Sequence, residues 1–187
     1  MNNDITKALE VLKAGGLILY PTDTIWGIGC DATNEQAVER VFKLKGRDAG
    51  KSLIVLLDTE NKLQSYIQDV PDIAYDLIEY SEKPLTIIYS GAKNFASNVI
   101  HADGSVGIRI PKHPFCQQLI QRFRKPIVST SANFSGELSP ANFSEVSQGI
   151  IDGVDYVVEF QQDDTSAKSP STIMKLEADG RFVFIRK

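Results

Sequence analysis

Hydroxyl, amide and cationic side chains are concentrated in five short segments of this chain, each next to an apolar run. They run from Tyr20 to Ala32, Lys43 to Arg47, Gly104 to Pro114, Ser129 to Gly136 and Ser169 to Thr172. A strand or helix beside each can hold it rigidly while its polar tip faces a ligand. Lys45, Arg47 and Lys51 carry three positive charges within seven positions. At an effective dielectric of about 20, each contact with a phosphate at about 4 Å contributes on the order of 4 kcal/mol before desolvation is subtracted. Ser105, Ser129, Ser131, Asn133 and Ser139 add neutral donors and acceptors, and Gly104, Gly107 and Gly136 let backbone amides approach closely. Such a set binds and neutralises an anion. With His101 and His113 as the only histidines, a Ser-His-Asp arrangement is not in view. Chemistry would come from orientation and from stabilising charge as a phosphoanhydride breaks, with Mg²⁺ held mainly by phosphate oxygens.

Taken singly, the segments have ordinary readings. Lys43 to Arg47 alone is a solvated helix end, and Ser129 to Ser139 alone is equally a turn cluster. Gly27-Ile-Gly29 lacks the third glycine of a dinucleotide fingerprint, so a strand needing close backbone packing is the better reading. His113 reads as structural and Cys30 as core. Trp26 is either a core aromatic or a pocket wall, and the sequence leaves both open.

The elements that must position these groups follow from periodicity. Ile5, Ala8, Leu9 and Leu12 share one helical face, ended by Gly15-Gly16, and Leu17 to Tyr20 is a short strand stopped by Pro21. Thr33 with Gln36 predicts a capping box for a helix that delivers Lys43, Lys45 and Arg47 at its last turn. Strands are predicted at 53–57, 85–89, 106–110, 126–129, 154–158, 172–176 and 182–185. Helices are predicted near 60–67, 71–81 and 114–123, with a further one capped by Asn142 and Glu145 and running to about Ile151. The alternation predicts a single α/β domain over 1–187, a twisted open sheet with helices packed on it. Parallel and antiparallel pairs are mixed, because only Ala178-Asp179-Gly180 separates the last two strands.

Composition bounds the function. The net charge of −4 argues against a surface that coats nucleic acid or an acidic membrane, although a local basic cleft is compatible with it. The longest apolar runs are too short to span a bilayer, and the Asn2-Asn3-Asp4 start lacks the basic region of a signal peptide, so a cytoplasmic protein without membrane contact is expected. Cys30 and Cys116 lack zinc-ligand spacing and are expected to be buried free thiols.

In order and spacing the segments resemble one family. Pro21-Thr-Asp-Thr24 with Gly27-Ile-Gly29, Lys45-Gly-Arg47, Ser105 to Pro111, Ser129 to Asn133 with Ser135-Gly136, Ser139-Pro140 and Ser169 to Thr172 together resemble a stand-alone YrdC-like domain of the threonylcarbamoyl-AMP synthase family. The resemblance runs from about Ile5 to Arg186. It implies a reaction in which L-threonine, bicarbonate or CO₂, and ATP give threonylcarbamoyl-adenylate and pyrophosphate, toward the t⁶A modification of tRNA. It implies that Lys45 and Arg47, the catalytic pair, act with Lys51 and Mg²⁺ on the triphosphate. Ser105, Ser131, Asn133, Ser139 and Arg186 would contact the nucleotide, and Thr24, Arg109, Ser129 and Thr172 would hold threonine. Leu56 stands where many members place a histidine, and Trp26 where tyrosine or phenylalanine is common. A tRNA and a partner threonylcarbamoyl transferase are possible further partners. Two rivals stay open: a non-catalytic module of the same fold binding double-stranded RNA or tRNA, and a carbamoyl-adenylate site like that of hydrogenase maturation proteins.

Overall fold

The computed structural model describes residues 1–46 and 53–187. Apolar residues at helical spacing bury one side of α1 (Asn2–Lys13), with Ile5, Ala8 and Leu12 enclosed. The chain continues through β1 (Ile18–Tyr20), β2 (Gly27–Gly29) and α2 (Glu35–Lys45). α2 opens on Asn34 rather than on the capping box predicted at Thr33 and Gln36. Asn34 Oδ1 accepts the Gln36 and Ala37 N–H groups, while the Thr33 hydroxyl donates to Asp31 Oδ1. Thr33 thus closes a turn on Asp31 and leaves the cap to its neighbour. At the other end Gly46 adopts φ 58°, a left-handed stop that glycine takes without steric cost.

The remaining strands are β3 (Ile54–Leu56), β4 (Leu85–Tyr89), β5 (Val106–Arg109), β6 (Ile127–Ser131), β7 (Tyr156–Val157), β8 (Thr172–Leu176) and β9 (Phe182–Arg186). Between them lie α3 (Leu63–Tyr66), α4 (Ile73–Glu79), α5 (Pro114–Phe123) and α6 (Gln148–Asp152). The helix predicted from Asn142 splits into a 3₁₀ turn, Phe143–Glu145, and α6. Glu145 is drawn back to the Ala141 N–H, and Val146 turns into the core in an extended conformation, which breaks the helix.

Among the described residues nine strands form one open sheet in the order β7-β1-β2-β6-β3-β5-β4-β8-β9. The β1–β7, β3–β5 and β4–β8 pairs are parallel and the others antiparallel, the mixture that the short last turn predicts. Strand alternation separates two faces. One carries Leu19, Ile28, Val55, Ile108, Val128 and Met174, which pack in a single core with α2, α3 and α4. The other carries Ile18, Tyr20, Leu56 and Ile127, covered by α1 and α5 in a second core. Those two helices cover only part of that face. Beyond them the same face presents Gly27 of β2, Ile54 of β3, Arg109 of β5, and Ser129 and Ser131 of β6. Among the described residues no helix is long and apolar enough to cross a membrane.

Two glycine and carboxylate details fix this arrangement. A Cβ at Gly29 would stand 2.7 Å from Tyr20 Cε1 and 3.0 Å from the Val128 carbonyl oxygen, so the Tyr20 ring lies directly on the β2 backbone. Gly29→Ala is expected to cost about 1–3 kcal/mol, read as a lowered urea midpoint. Asp4 Oδ1 accepts both the Tyr156 hydroxyl and the Glu159 N–H, tying α1 to the chain leaving β7. Burial alone would raise the Asp4 pKa, but those two donors, together with the N-terminal ammonium 3.1 Å from Oδ2, outweigh it and hold the carboxyl below its ordinary 3.8. Because the folded-state pKa is depressed, this stabilisation is present above the unfolded value and is lost as pH falls through the folded one. Asp4→Asn should therefore lower stability at pH 6 by about 1–3 kcal/mol, with the gap to the wild type closing in acid, as urea titrations across that range would measure.

Candidate active site

The uncovered part of the sheet is the floor of a cleft of about 290 Å³. Its floor comes from Gly27 of β2, Ile54 of β3, Ser129 and Ser131 of β6, and Ile173 of β8, with Arg109 and Arg186 at the ends of β5 and β9. Trp26 stands at the edge as a wall and also belongs to the larger core, its ring centroid 4.8 Å from that of Phe143. Both sequence readings of Trp26 hold at once.

Arg186 reaches the cleft through an irregularity. In β9 Phe184 pairs with Met174 and Arg186 with Ile173, so Ile185 is extra in the register. In a regular ladder position 186 would fall opposite Thr172 and turn to the core side; the bulge turns it to the cleft. Its Nε and Nη2 donate to the Ser171 carbonyl at 3.0 and 2.8 Å. Burial, and then the charge of Arg109, hold the Arg186 guanidinium below its ordinary pKa. Arg109 is only 3% exposed, with Nη2 3.4 Å from Asp23 Oδ1. Arg109 Nε and Asp23 Oδ1 are both buried without a hydrogen-bond partner among the described residues. Two guanidiniums in one small cleft, one with a donor unused, create a site for an anion.

The hydroxyls around them have assignable roles. The Thr22 hydroxyl donates to the Ile25 carbonyl at 2.8 Å, and it has one proton. In the 2.9 Å contact between Thr22 and Thr24 the Thr24 hydroxyl must therefore donate. Thr24 lines the cleft and is left with lone pairs to offer, so it suits a ligand's N–H or O–H. The Ser171 hydroxyl pairs with that of Thr86 at 2.8 Å.

The structure brings together Thr24, Arg109, Ser129, Ser131, Ser139 and Arg186 from the residues predicted, with Ser139 exposed at the rim. Lys45 ends α2 just outside, 2% exposed. Its Nζ donates to the carbonyls of Ser131 and Asn133, and its own carbonyl accepts the Ser135 N–H, so it braces the loop after β6. Asn133 shapes that loop too, with Nδ2 donating to the carbonyls of Phe134 and Glu137. Ser105 lies at the far end of β5 from Arg109, its hydroxyl donating to Asp103 Oδ1 at 2.6 Å. Thr172 is not brought to the cleft. It sits between Ser171 and Ile173, both of which line it, and alternation turns its side chain to the other face. The cleft hydroxyl of that segment is Ser171. The apolar pair Met174 and Leu176, two and four residues on, was the signal in the sequence that Thr172 faces the core. Arg47 and Lys51 lie outside the described residues. His113 is structural, with Nε2 2.9 Å from Gln161 Oε1 and its pKa held below the ordinary value by burial. Cys30 and Cys116 are buried free thiols.

Known proteins carry the same frame. A threonylcarbamoyl-AMP synthase of Pseudoalteromonas translucida is 34% identical over 158 residues, covering 83% of this chain and 84% of that protein. The P. abyssi Sua5 structure in complex with L-threonine superposes with a TM-score of 0.86 at 26% identity, over 97% of this chain and 53% of the other. This chain thus spans about half the length of that Sua5 protein. E. coli YciO superposes with a TM-score of 0.85 over all of this chain and 90% of the other, and at 24% identity this speaks to the fold alone. The sequence profile of Sua5, YciO and YrdC proteins, described as telomere recombination, matches residues 10–187, and the chain belongs to that family.

Proposed function

We propose that this protein is an L-threonylcarbamoyladenylate synthase, a nucleotidyl-transferring enzyme that joins L-threonine, CO₂ and ATP. The observation that carries the reading is the cleft in which Arg109 and Arg186 share one cavity with the hydroxyls of Thr24, Ser129 and Ser131. Such a cavity suits a ligand with a carboxylate, a hydroxyl and a phosphate, which is what the product contains. The names of relatives of similar length support it.

In this reading Arg109 takes the threonine carboxylate in a charge-assisted contact, and Thr24 and Ser129 take its amine and hydroxyl. The uncharged amine adds to CO₂, forming an N–C bond as a C=O π pair moves onto oxygen and the amine proton passes to water or bicarbonate, and a carbamate oxygen then attacks the α-phosphorus as the bond to pyrophosphate breaks. The chain's own contribution is to align the carbamate and to offset the charge developing on the leaving group. Arg186, Ser131 and Ser139 would contact the nucleotide. Lys45, with Arg47 and Lys51, would neutralise the phosphates, and Asn133 would keep the adjoining loop in place. Ser105, whose hydroxyl and N–H both donate to Asp103 Oδ1, would contribute by fixing the turn that leads into β5.

The cleft presents hydroxyls and guanidiniums, a set that fits an anion rather than a bare cation. A Mg²⁺ would therefore be held mainly by phosphate oxygens and would supply further charge neutralisation when bound. The product would pass to a threonylcarbamoyl transferase acting on tRNA in the cytoplasm.

Pyrophosphate release from ATP and bicarbonate is expected to require L-threonine and to fall about 100-fold or more in Lys45→Ala, measured by a coupled phosphate assay. Release without threonine, or retention in the variant, would contradict the reading. A protein that releases none but binds duplex RNA with a steep salt dependence would support the RNA-binding alternative. Alternation makes a second, sharper prediction: Ser171→Ala should lower kcat/KM by about tenfold, whereas Thr172→Ala should stay within about twofold.

A further inference from the structure

The two cleft arginines are anchored differently. Arg186 donates twice to the Ser171 carbonyl. Arg109 is more deeply buried, its Nε has no partner among the described residues, and the charge it meets is Asp23, with Oδ1 3.4 Å from Nη2. Asp23 is itself 91% enclosed, by the 9% exposure of its side chain. It is held from two sides. Its Oδ2 accepts the Lys112 N–H at 3.2 Å, and the flanking threonines are locked together through the Thr22 hydroxyl. Asp23 does not line the cleft. It lines a separate cavity of about 120 Å³ with Ser81, Lys83, Ile110 and Lys112, a cavity that Arg109 does not line.

A guanidinium this buried, sharing a cavity with a second one, would be driven away from it and toward solvent unless a fixed counter-charge held it. The only carboxylate that the described residues place in an ion pair with Arg109 is Asp23. Resting on the reading that the cleft takes L-threonine, we propose that Asp23 is a positioning residue for substrate capture: from outside the cleft lining it holds Arg109 against Arg186 and leaves Nε for an incoming carboxylate. Asp23 then governs affinity for the amino acid and not for the nucleotide, which Arg186 and the loop after β6 receive.

Calorimetric titration of L-threonine in the presence of α,β-methylene-ATP, and of that analogue alone, tests this in the wild type, Asp23→Asn, Asp23→Glu, Arg109→Ala and the Asp23→Asn/Arg109→Ala double variant. Asp23→Asn should weaken threonine about tenfold or more while the analogue stays within about twofold, and Asp23→Glu should regain most of the loss. In the Arg109→Ala background Asp23→Asn should add less than about twofold, as expected of a residue acting through Arg109. Turnover should show the same split, with the threonine KM raised and kcat at saturation largely kept. Unchanged threonine binding in Asp23→Asn, equal weakening of both ligands, or a full effect without Arg109 would overturn the assignment while leaving the synthase reading intact. Absence of threonine binding by the wild type would overturn both. Should Asp23→Asn fail to fold, Asp23→Glu still decides: a folded variant that has lost nucleotide and threonine binding alike overturns the assignment.

Discussion

Burying the charge of Arg109 is the constraint to which the rest of the cleft answers. Taking a guanidinium out of water costs several kcal/mol even after the surroundings relax. Here the cost is compounded by Arg186 in the same cavity. Asp23 offsets part of it, the Ser171 carbonyl fixes Arg186, and the hydroxyls of Thr24, Ser129 and Ser131 stand among the apolar groups of the same lining. What is left is a standing demand for an anion, which a ligand can meet.

The sheet makes room for that ligand by being covered unevenly. α1 and α5 close over Ile18, Tyr20, Leu56 and Ile127 and stop there, so the same face changes from apolar to polar along single strands. Leu56 is fully buried under those helices, while Ile54, two residues earlier on β3, lies on the cleft floor. Gly27 keeps that floor low, since a Cβ there would stand 3.1 Å from Ser129 Oγ. The bulge at Ile185 serves the same end from the sheet edge, since it decides which face receives Arg186.

Most of this frame was legible in the sequence. The strand at Leu85 to Tyr89 and the helix at residues 114–123 follow from period and punctuation alone, and the short Ala178-Asp179-Gly180 turn correctly announced an antiparallel pair at the end of a mixed sheet. Local competition was harder to read. Asp31 takes the Thr33 hydroxyl and moves the cap of α2 by one residue, and Glu145 turns back on Ala141 and shortens a helix. At the site, motif order picked out segments that lie at or beside the cleft, while alternation and local hydrogen bonds decide what each side chain faces. Thr172 yields its place to Ser171 because alternation is counted from the core residues Met174 and Leu176, and Lys45 braces a loop because the carbonyls of Ser131 and Asn133 fold back onto it. Asp23 carried no signal of its own, since its role depends on a partner 86 positions away in the sequence, Arg109.

The most direct test is to observe both arginines while the cleft fills. In ¹⁵N-labelled protein the Nε–Hε resonances of Arg109 and Arg186 can be assigned by substitution and followed as L-threonine and α,β-methylene-ATP are added. The account predicts that both shift and are protected from exchange with water, Arg109 when threonine is added and Arg186 when the nucleotide is. If both stay unchanged while the ligands perturb residues elsewhere, the cleft between them is not where the substrates meet.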